Sequence, residues 1–286
     1  MITELAGTGR TVRISADLPV VIIGERINPT GRKRLAAALA AGDLSLLRSD
    51  AVQQVQAGAQ ILDINVGVPG TDERALLAAA VKEVQAAVDL PLCIDTANAA
   101  ALDAALAVYQ GKALVNSVTA EDAALDRVLP IVKRYGAAVI GLAHDERGIS
   151  TSPEQRLAAA RKIVARAAAL DISPEDVVID PLALTVGADS AAGLVTLSTI
   201  QLVRQTLGNN ITLGASNASF GLPDRPTLNA TFLAMAVAVG VTCPITNPLD
   251  AVARKALLAA DLFLGHDAYG GNWIRFYRAA MRGLQS

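Results

Sequence analysis

Eight short apolar runs, rich in β-branched residues, recur along the chain, from Val20-Val21-Ile22-Ile23 to Thr242-Cys243-Pro244-Ile245, with others at 61–64, 92–95, 113–116, 138–141, 177–180 and 211–214. Near-continuous apolar runs of this length are expected of strands covered on both faces, as in a parallel sheet whose crossovers are helices. Ala-rich stretches separate the runs and carry helix punctuation. Ser152-Pro153-Glu154 offers a capping hydroxyl, a proline for the first turn and an acid at the positive helix end. Gly58 stops a helix expected over 43–57. Eight strand–helix units in 286 residues predict an α/β fold closed as a (β/α)8 TIM barrel. An open doubly wound sheet would need fewer strands or a second domain, and no Pro/Gly/Ser-rich linker marks a boundary. One domain over 1–286 is therefore expected, with the residues before about Leu18 covering the barrel bottom.

The chain is 52% hydrophobic and 18% charged, which supplies a sizeable core and excludes a disordered class. Its 25 Lys plus Arg against 27 Asp plus Glu give no clustered positive field, and one Trp, four Tyr and four Phe make no stacking platform, so no nucleic-acid partner is expected. Cys93 and Cys243 lie in apolar runs and make no disulfide framework, which fits a reducing, cytoplasmic setting. The opening residues, with Glu4, Arg10 and Arg13, do not read as a basic-then-apolar leader. The uncharged run 226–249 is interrupted by Asn229, Gly240, Pro244 and Asn247, so a buried helix followed by a strand is expected rather than a membrane span. Five of the aromatics gather at the C-terminus, with Trp273, Phe276 and Tyr277 at helical spacing. They read either as a terminal helix docking on the barrel or as anchors for a subunit or partner.

Barrel enzymes carry their chemistry at the C-terminal ends of the strands. Here those ends read Gly24-Glu25-Arg26-Ile27-Asn28, then Asp63 with Asn65, Asp95-Thr96, Asn116-Ser117, His144-Asp145, Asp180-Pro181, Ser216-Asn217 and Thr246-Asn247. Any one of these could cap a helix or bond a loop. Asp63, Asn65, Asp95, Asn116, Asp180 and Asn217 together would make one mouth rich in carboxylates and amides. None of the six lysines closes a strand, which disfavours Schiff-base chemistry. Two separated histidines give no hydrolytic metal cluster, so no metal is expected, and His144 reads as a loop residue. No Gly-rich loop ends in Gly-Lys-Ser/Thr, and neither cysteine has a plausible base beside it. Such a mouth suits a flat polar heterocycle with several N–H donors. A 2-amino-4-oxo pterin is one, because its ring N–H and amino group form a fork that a single carboxylate can accept.

The string of motifs resembles the methyltetrahydrofolate-dependent, corrinoid-linked methyltransferases. It consists of Ile22-Ile23-Gly24-Glu25-Arg26-Ile27-Asn28, Leu62-Asp63-Ile64-Asn65-Val66-Gly67, Cys93-Ile94-Asp95-Thr96, Val115-Asn116-Ser117, Ile179-Asp180-Pro181-Leu182, Leu213-Gly214-Ala215-Ser216-Asn217 and the stretch from Asn229 to Ala236. The likeness runs from about Val20 to the end. The pterin-binding domain of cobalamin-dependent methionine synthase and dihydropteroate synthase share this barrel. The resemblance implies that Asp95, Asn116 and Asp180 bind the pterin ring, that Asn217 contacts N5 of methyltetrahydrofolate, and that Arg225 belongs to the same loop, with Ser216, Asp63 and Asn65 also in the substrate site. Phe220 stands where the iron–sulfur-protein-linked members lead one to expect Gln, which points to another subfamily or partner.

The implied reaction moves the N5 methyl group between methyltetrahydrofolate and a cobalt corrinoid, in either direction. The Asn217 amide would bond N5 as charge shifts onto it. No side chain stands out as a strong acid, so solvent is the expected proton source. The chain has no Asp-x-His-x-x-Gly segment for a cobalamin, which is therefore expected on a separate corrinoid protein. The resemblance also implies a homodimer. Two rivals are a dihydropteroate synthase and a non-catalytic folate-binding subunit. The former calls for an Arg-x-His at the last strand, where Pro244-Ile245-Thr246-Asn247 stands, and for Asn-x-Thr-x-Asp-Ser-Phe after the first.

Overall fold

The structure is a computed structural model and describes residues 1–283. A hairpin of β1 (Thr3–Ala6) and β2 (Thr11–Ile14) comes first, followed by β3 (Ile23–Ile27), α1 (Lys33–Ala40), α2 (Ser45–Gln56), β4 (Ile61–Ile64), α3 (Glu73–Ala87), β5 (Leu92–Asp95), α4 (Ala99–Val108) and β6 (Leu114–Thr119). Then come α5 (Asp122–Tyr135), β7 (Ala138–Leu142), α6 (Pro153–Ala168), β8 (Val177–Asp180), α7 (Ala192–Thr206), α8 (Arg225–Val239), β9 (Ile245–Thr246), α9 (Ala251–Phe263) and α10 (Gly271–Gly283). Helix starts follow the side chains before them. Asp72, Asn98, Ser152 and Asp250 each accept backbone N–H groups at the N-termini of α3, α4, α6 and α9. The helix expected over 43–57 is the slightly shorter α2, and Gly58 follows it at a φ of +98°, a conformation that favours glycine.

Strands β3 to β9 form one curled parallel sheet in the order β8-β7-β6-β5-β4-β3-β9, wrapped by the helices. Residues 211–214, expected as a full strand, make only single parallel bridges, Ile211 to Ile179 of β8 and Gly214 to Ile245 of β9. Hydrogen bonds from Thr212 N–H to the Ile179 carbonyl and from Ile245 N–H to the Leu213 carbonyl, both 2.9 Å, close the barrel through this thin segment. The strand expected at 20–23 starts at Ile23 and runs to Ile27. Before it, Val21 N–H still bonds the Thr242 carbonyl at 3.0 Å. The uncharged run 226–249 resolves into α8 and β9, and among the described residues no helix is long and apolar enough to cross a membrane.

Two apolar layers divide the side chains by the period of two along each strand. Ile64, Leu92, Ile94, Val115, Val139 and Ile179 face the helices. Ile23, Ile61, Cys93, Leu114, Ala138, Ile140, Val178 and Cys243 face the lumen, where Leu5, Val12 and Ile14 of the hairpin join them. The hairpin covers the end where the strands begin, as expected. Ala6 exchanges hydrogen bonds with Lys112, just before β6, and the side-chain amide of Asn210 donates to the Ile14 carbonyl at 2.8 Å. A Cβ at Gly7 would lie 2.3 Å from the Asp89 carbonyl oxygen, so the hairpin turn can press this close to the sheet only without a side chain there.

At the C-terminus the aromatics help to dock the terminal helix. Arg254 of α9 lies 4.7 Å from the Phe276 ring centroid, which docks α10 on α9, while Phe263, Tyr269 and Tyr277 face solvent.

Candidate active site

The alternation that fills the lumen also delivers its polar groups. Two residues beyond Ile61, Cys93, Leu114 and Val178 on their strands come Asp63, Asp95, Asn116 and Asp180, so these four point into the lumen at the end where the parallel strands finish. On β7 the corresponding residue after Ile140 is Leu142, which leaves one apolar stretch in the wall. Register fixes their heights: Asp95 pairs with Asn116, Asp63 with Cys93 one step lower, and Asp180 with Leu142 one step higher.

Hydrogen bonds link carboxyls and amides across strands. The Asn116 amide donates to Asp63 at 3.1 Å and the Asn65 amide to Asp95 at 3.0 Å. Asn65 also accepts Gly67 N–H at 2.9 Å, which fixes which end of its amide faces Asp95. Asp180 accepts Leu182 N–H at 2.7 Å. Burial, with the Asp95 charge added, pushes the Asp63 carboxyl up to about 8, against the pull of the Asn116 amide. Burial likewise raises Asp95 despite its bond from Asn65. Burial lifts Asp180 to about 6, opposed by Leu182 N–H and by the charge of Arg156. The lumen thus holds carboxyl groups that keep or release a proton near neutral pH, beside amides that can both donate and accept.

Asn217 stands on the short helical turn Ala215–Asn217 that follows the thin seventh segment, at the same end of the barrel. It is exposed, and its side-chain amide has no hydrogen-bond partner among the described residues. Arg225, expected in the same loop, turns back onto it: its guanidinium donates to the Ser219 hydroxyl at 3.1 Å and to the Ser216 carbonyl at 2.8 Å, with Phe220 5.7 Å away beneath it. Arg225 and Ser216 therefore brace the loop that carries Asn217. Phe220 is 67% exposed, and its carbonyl accepts the Thr185 hydroxyl at 2.7 Å, which latches this loop to the one after β8.

Two further residues, to which the sequence assigns no role, stand in or under the site. Arg156 is 1% exposed and donates to the carbonyls of Ser150, Pro181 and Leu182 at 2.7 to 2.8 Å, which holds the loop that leaves Asp180. Nothing in its local sequence sets it apart from other helix arginines. Glu25 is the second. It lies two residues beyond the lumen residue Ile23, where β3 bulges against β4, so that Glu25 and Arg26 together stand opposite Asp63. Burial pushes its carboxyl up to about 7, opposed by the charges of Arg26 and Arg225. The period-two rule that finds Asp63 and Asp95 finds Glu25 as well.

His144, Asn28 and Asn247 do not join the group. His144 lies against the Asp145 carbonyl, while Asn28 and Asn247 cap turns by accepting Thr30 and Leu249 N–H. Among the described residues no His/Cys/Asp/Glu cluster could hold a metal ion. A cavity of about 540 Å³ between α9, α10 and the N-terminal ends of β3 and β4, lined by Val20, Gln60 and Arg254 among others, contains none of the expected site residues.

Comparison with known proteins gives the family and the fold. Residues 24–247 match the family described as pterin binding enzyme. A methylcorrinoid:tetrahydrofolate methyltransferase of Eubacterium limosum is 28% identical over 265 residues, 91% of this chain and 96% of its own. The methionine synthase of Mycobacterium tuberculosis is 29% identical over 78% of this chain, which spans only 20% of that longer protein. Among solved structures, dihydropteroate synthase from Xanthomonas albilineans, bound to indole-2-carboxylic acid and 6-chloroguanine, superposes with a TM-score of 0.70 at 20% identity, covering 92% of this chain and 99% of that one; at this identity it shares the barrel. With its lumen of carboxyls and amides and a family match spanning every barrel strand, the chain belongs to the pterin binding enzymes.

Proposed function

We propose that the protein transfers the N5 methyl group between methyltetrahydrofolate and a cobalt corrinoid carried by a separate protein. The observation that carries this reading is the composition of the lumen: its acids and amides come from Asp63, Asn65, Asp95, Asn116 and Asp180, with no lysine among them, and an unbonded amide, Asn217, stands at its rim. The relative from Eubacterium limosum, similar along almost its full length, supports it. A dihydropteroate synthase needs basic groups for a diphosphate-bearing pterin, and here the last strand closes in Thr246 and Asn247.

In this reading Asp95, Asn116 and Asp180 hold the pterin, with a carboxylate accepting the fork of ring N–H and amino group and the Asn116 amide reading an acceptor. These bonds exist before and during transfer, so they serve binding. Asn217 donates to N5 as the nitrogen loses its methyl and becomes more basic, so its bond is worth most in the transition state. Arg225 and the Ser216 carbonyl hold the Asn217 loop in place. The corrinoid, supplied by its carrier, contributes the cobalt that accepts or donates the methyl group. One pterin-binding domain over 1–286, a homodimer and the reducing cytoplasm complete the proposal.

The test is methyl transfer from methyltetrahydrofolate to added cob(I)alamin, followed by the cobalamin spectrum, and the reverse reaction from methylcobalamin to tetrahydrofolate. Turnover in either direction supports the assignment. Folate binding without turnover in both directions would leave a non-catalytic folate-binding subunit.

A further inference from the structure

We propose that Glu25 supplies the proton that N5 takes up when its methyl group leaves; this rests on the methyl-transfer reading above. That reaction has an unmet requirement. The bond between N5 and the methyl carbon breaks as the carbon bonds to cobalt, which contributes both electrons of the new bond. The electron pair left on N5 must then gain a proton for tetrahydrofolate to form. Asn217 can donate a hydrogen bond but keeps its proton. Asp63 and Asp95 are tied to Asn116 and Asn65, and Asp180 to Leu182 N–H.

Glu25 differs from those three. It faces the lumen from β3, it is partly buried, and its carboxyl has no hydrogen-bond partner among the described residues. It stands opposite Asp63 across the β3 bulge and close enough to Arg225 to feel its charge, and Arg225 grips the Asn217 loop. A carboxyl between the pterin-facing wall and the loop that touches N5 is placed to pass its proton to that nitrogen. The Glu25 carboxylate left behind regains a proton from solvent, and in the reverse reaction it takes the N5 proton. The charged and titratable groups around it are Arg26 on its own strand, Asp63 from β4 and Arg225 from α8. Gln54 of α2, packed behind Gly24, is neutral, and Ile245 and Thr246 of β9 do not titrate. Burial outweighs the two arginines, so the acid stays protonated up to about pH 7.

Single-turnover transfer from methyltetrahydrofolate to cob(I)alamin, across the pH range spanning neutrality, tests this. The wild-type rate constant should fall as pH rises through about 7. Glu25→Gln should lose that inflection and transfer about 10²-fold more slowly, while calorimetric affinity for methyltetrahydrofolate changes by less than about 3-fold, because the proton moves only as the bond breaks. Glu25→Asp should restore the inflection and part of the rate. A Glu25→Gln enzyme with the wild-type rate and profile overturns the proposal and leaves the methyl-transfer reading standing. If that variant does not fold, a wild-type rate constant that is flat through neutrality overturns it equally. Absence of transfer by the wild type in both directions overturns the parent reading, and this proposal with it.

Discussion

The two ends of the barrel are built from the same strands by the same alternation, and they do opposite work. At the floor Leu5, Val12 and Ile14 press on Ile23, Ile61, Cys93, Leu114 and Val178 in one apolar cluster. Two residues further along those strands, roughly 7 Å, come Glu25, Asp63, Asp95, Asn116 and Asp180. Below, the packed side chains of this cluster are apolar. Above, burial holds Asp63 and Glu25 with raised proton affinities, a state that costs stability once the groups ionise. Stability and chemistry are thus separated by height within single strands, and a substitution's effect should depend on which side of that boundary it falls.

The largest effect should come from the floor. Ile14→Ala removes a fully buried side chain and should destabilise the fold by about 2–5 kcal/mol in denaturant titrations, while methyl transfer per folded molecule stays as it was. A loss of specific activity at equal folded fraction would break the separation. Next comes Asn217→Ala at the rim: transfer to cob(I)alamin should slow by about 10²-fold, with unchanged melting temperature and a smaller loss of methyltetrahydrofolate affinity. A wild-type rate at saturating substrate would make Asn217 a loop residue only. Asp180→Ala should weaken methyltetrahydrofolate binding by roughly 2 kcal/mol or more in calorimetry, since a charge-assisted bond is lost and ring donors are left unpaired. The smallest effect concerns Asp63 and protons alone. Its carboxyl holds its proton in the folded chain up to about 8 but releases it near 3.8 when unfolded. The folded state therefore binds more protons between those values, and stability is full below the lower one and declines as pH rises through the upper. Asp63→Asn should flatten that decline, and an unchanged pH dependence of the melting temperature would show that the mouth carries no such cost.

Most of the fold can be read from the chain because apolar runs covered on both faces have few alternatives. The runs at 61–64, 92–95, 138–141 and 177–180 coincide with β4, β5, β7 and β8 to within a residue. The first run ends too early, since β3 continues through Gly24-Glu25-Arg26, and the string at that strand end does not by itself show that Glu25 is the member that faces the lumen. The seventh run, as apolar as the others, makes too few backbone pairs to count as a strand, which depends on its neighbours' positions rather than its own residues. The candidate site is legible where a strand ends in Asp or Asn. The back-turned guanidinium of Arg225 and the burial of Arg156 beneath the Asp180 loop are not, because both depend on carbonyl groups that only the finished loops present.

The thin seventh segment gives the barrel a seam. Most adjacent strands are laced by ladders of three or more residue pairs and β3 with β9 by two, but the circle is joined here by one bridge on each side. Backbone hydrogen bonds still hold the segment on both sides, from Ile179 N–H to the Asn210 carbonyl and Thr212 N–H to the Ile179 carbonyl, and from Thr242, Cys243 and Ile245 N–H to the Ile211 and Leu213 carbonyls, so it is a narrow stave rather than a gap. The turn bearing Asn217 begins directly after it. The amide proposed to meet N5 therefore hangs from the narrowest stave of the barrel, while the more fully laddered staves carrying Asp95, Asn116 and Asp180 hold the ring.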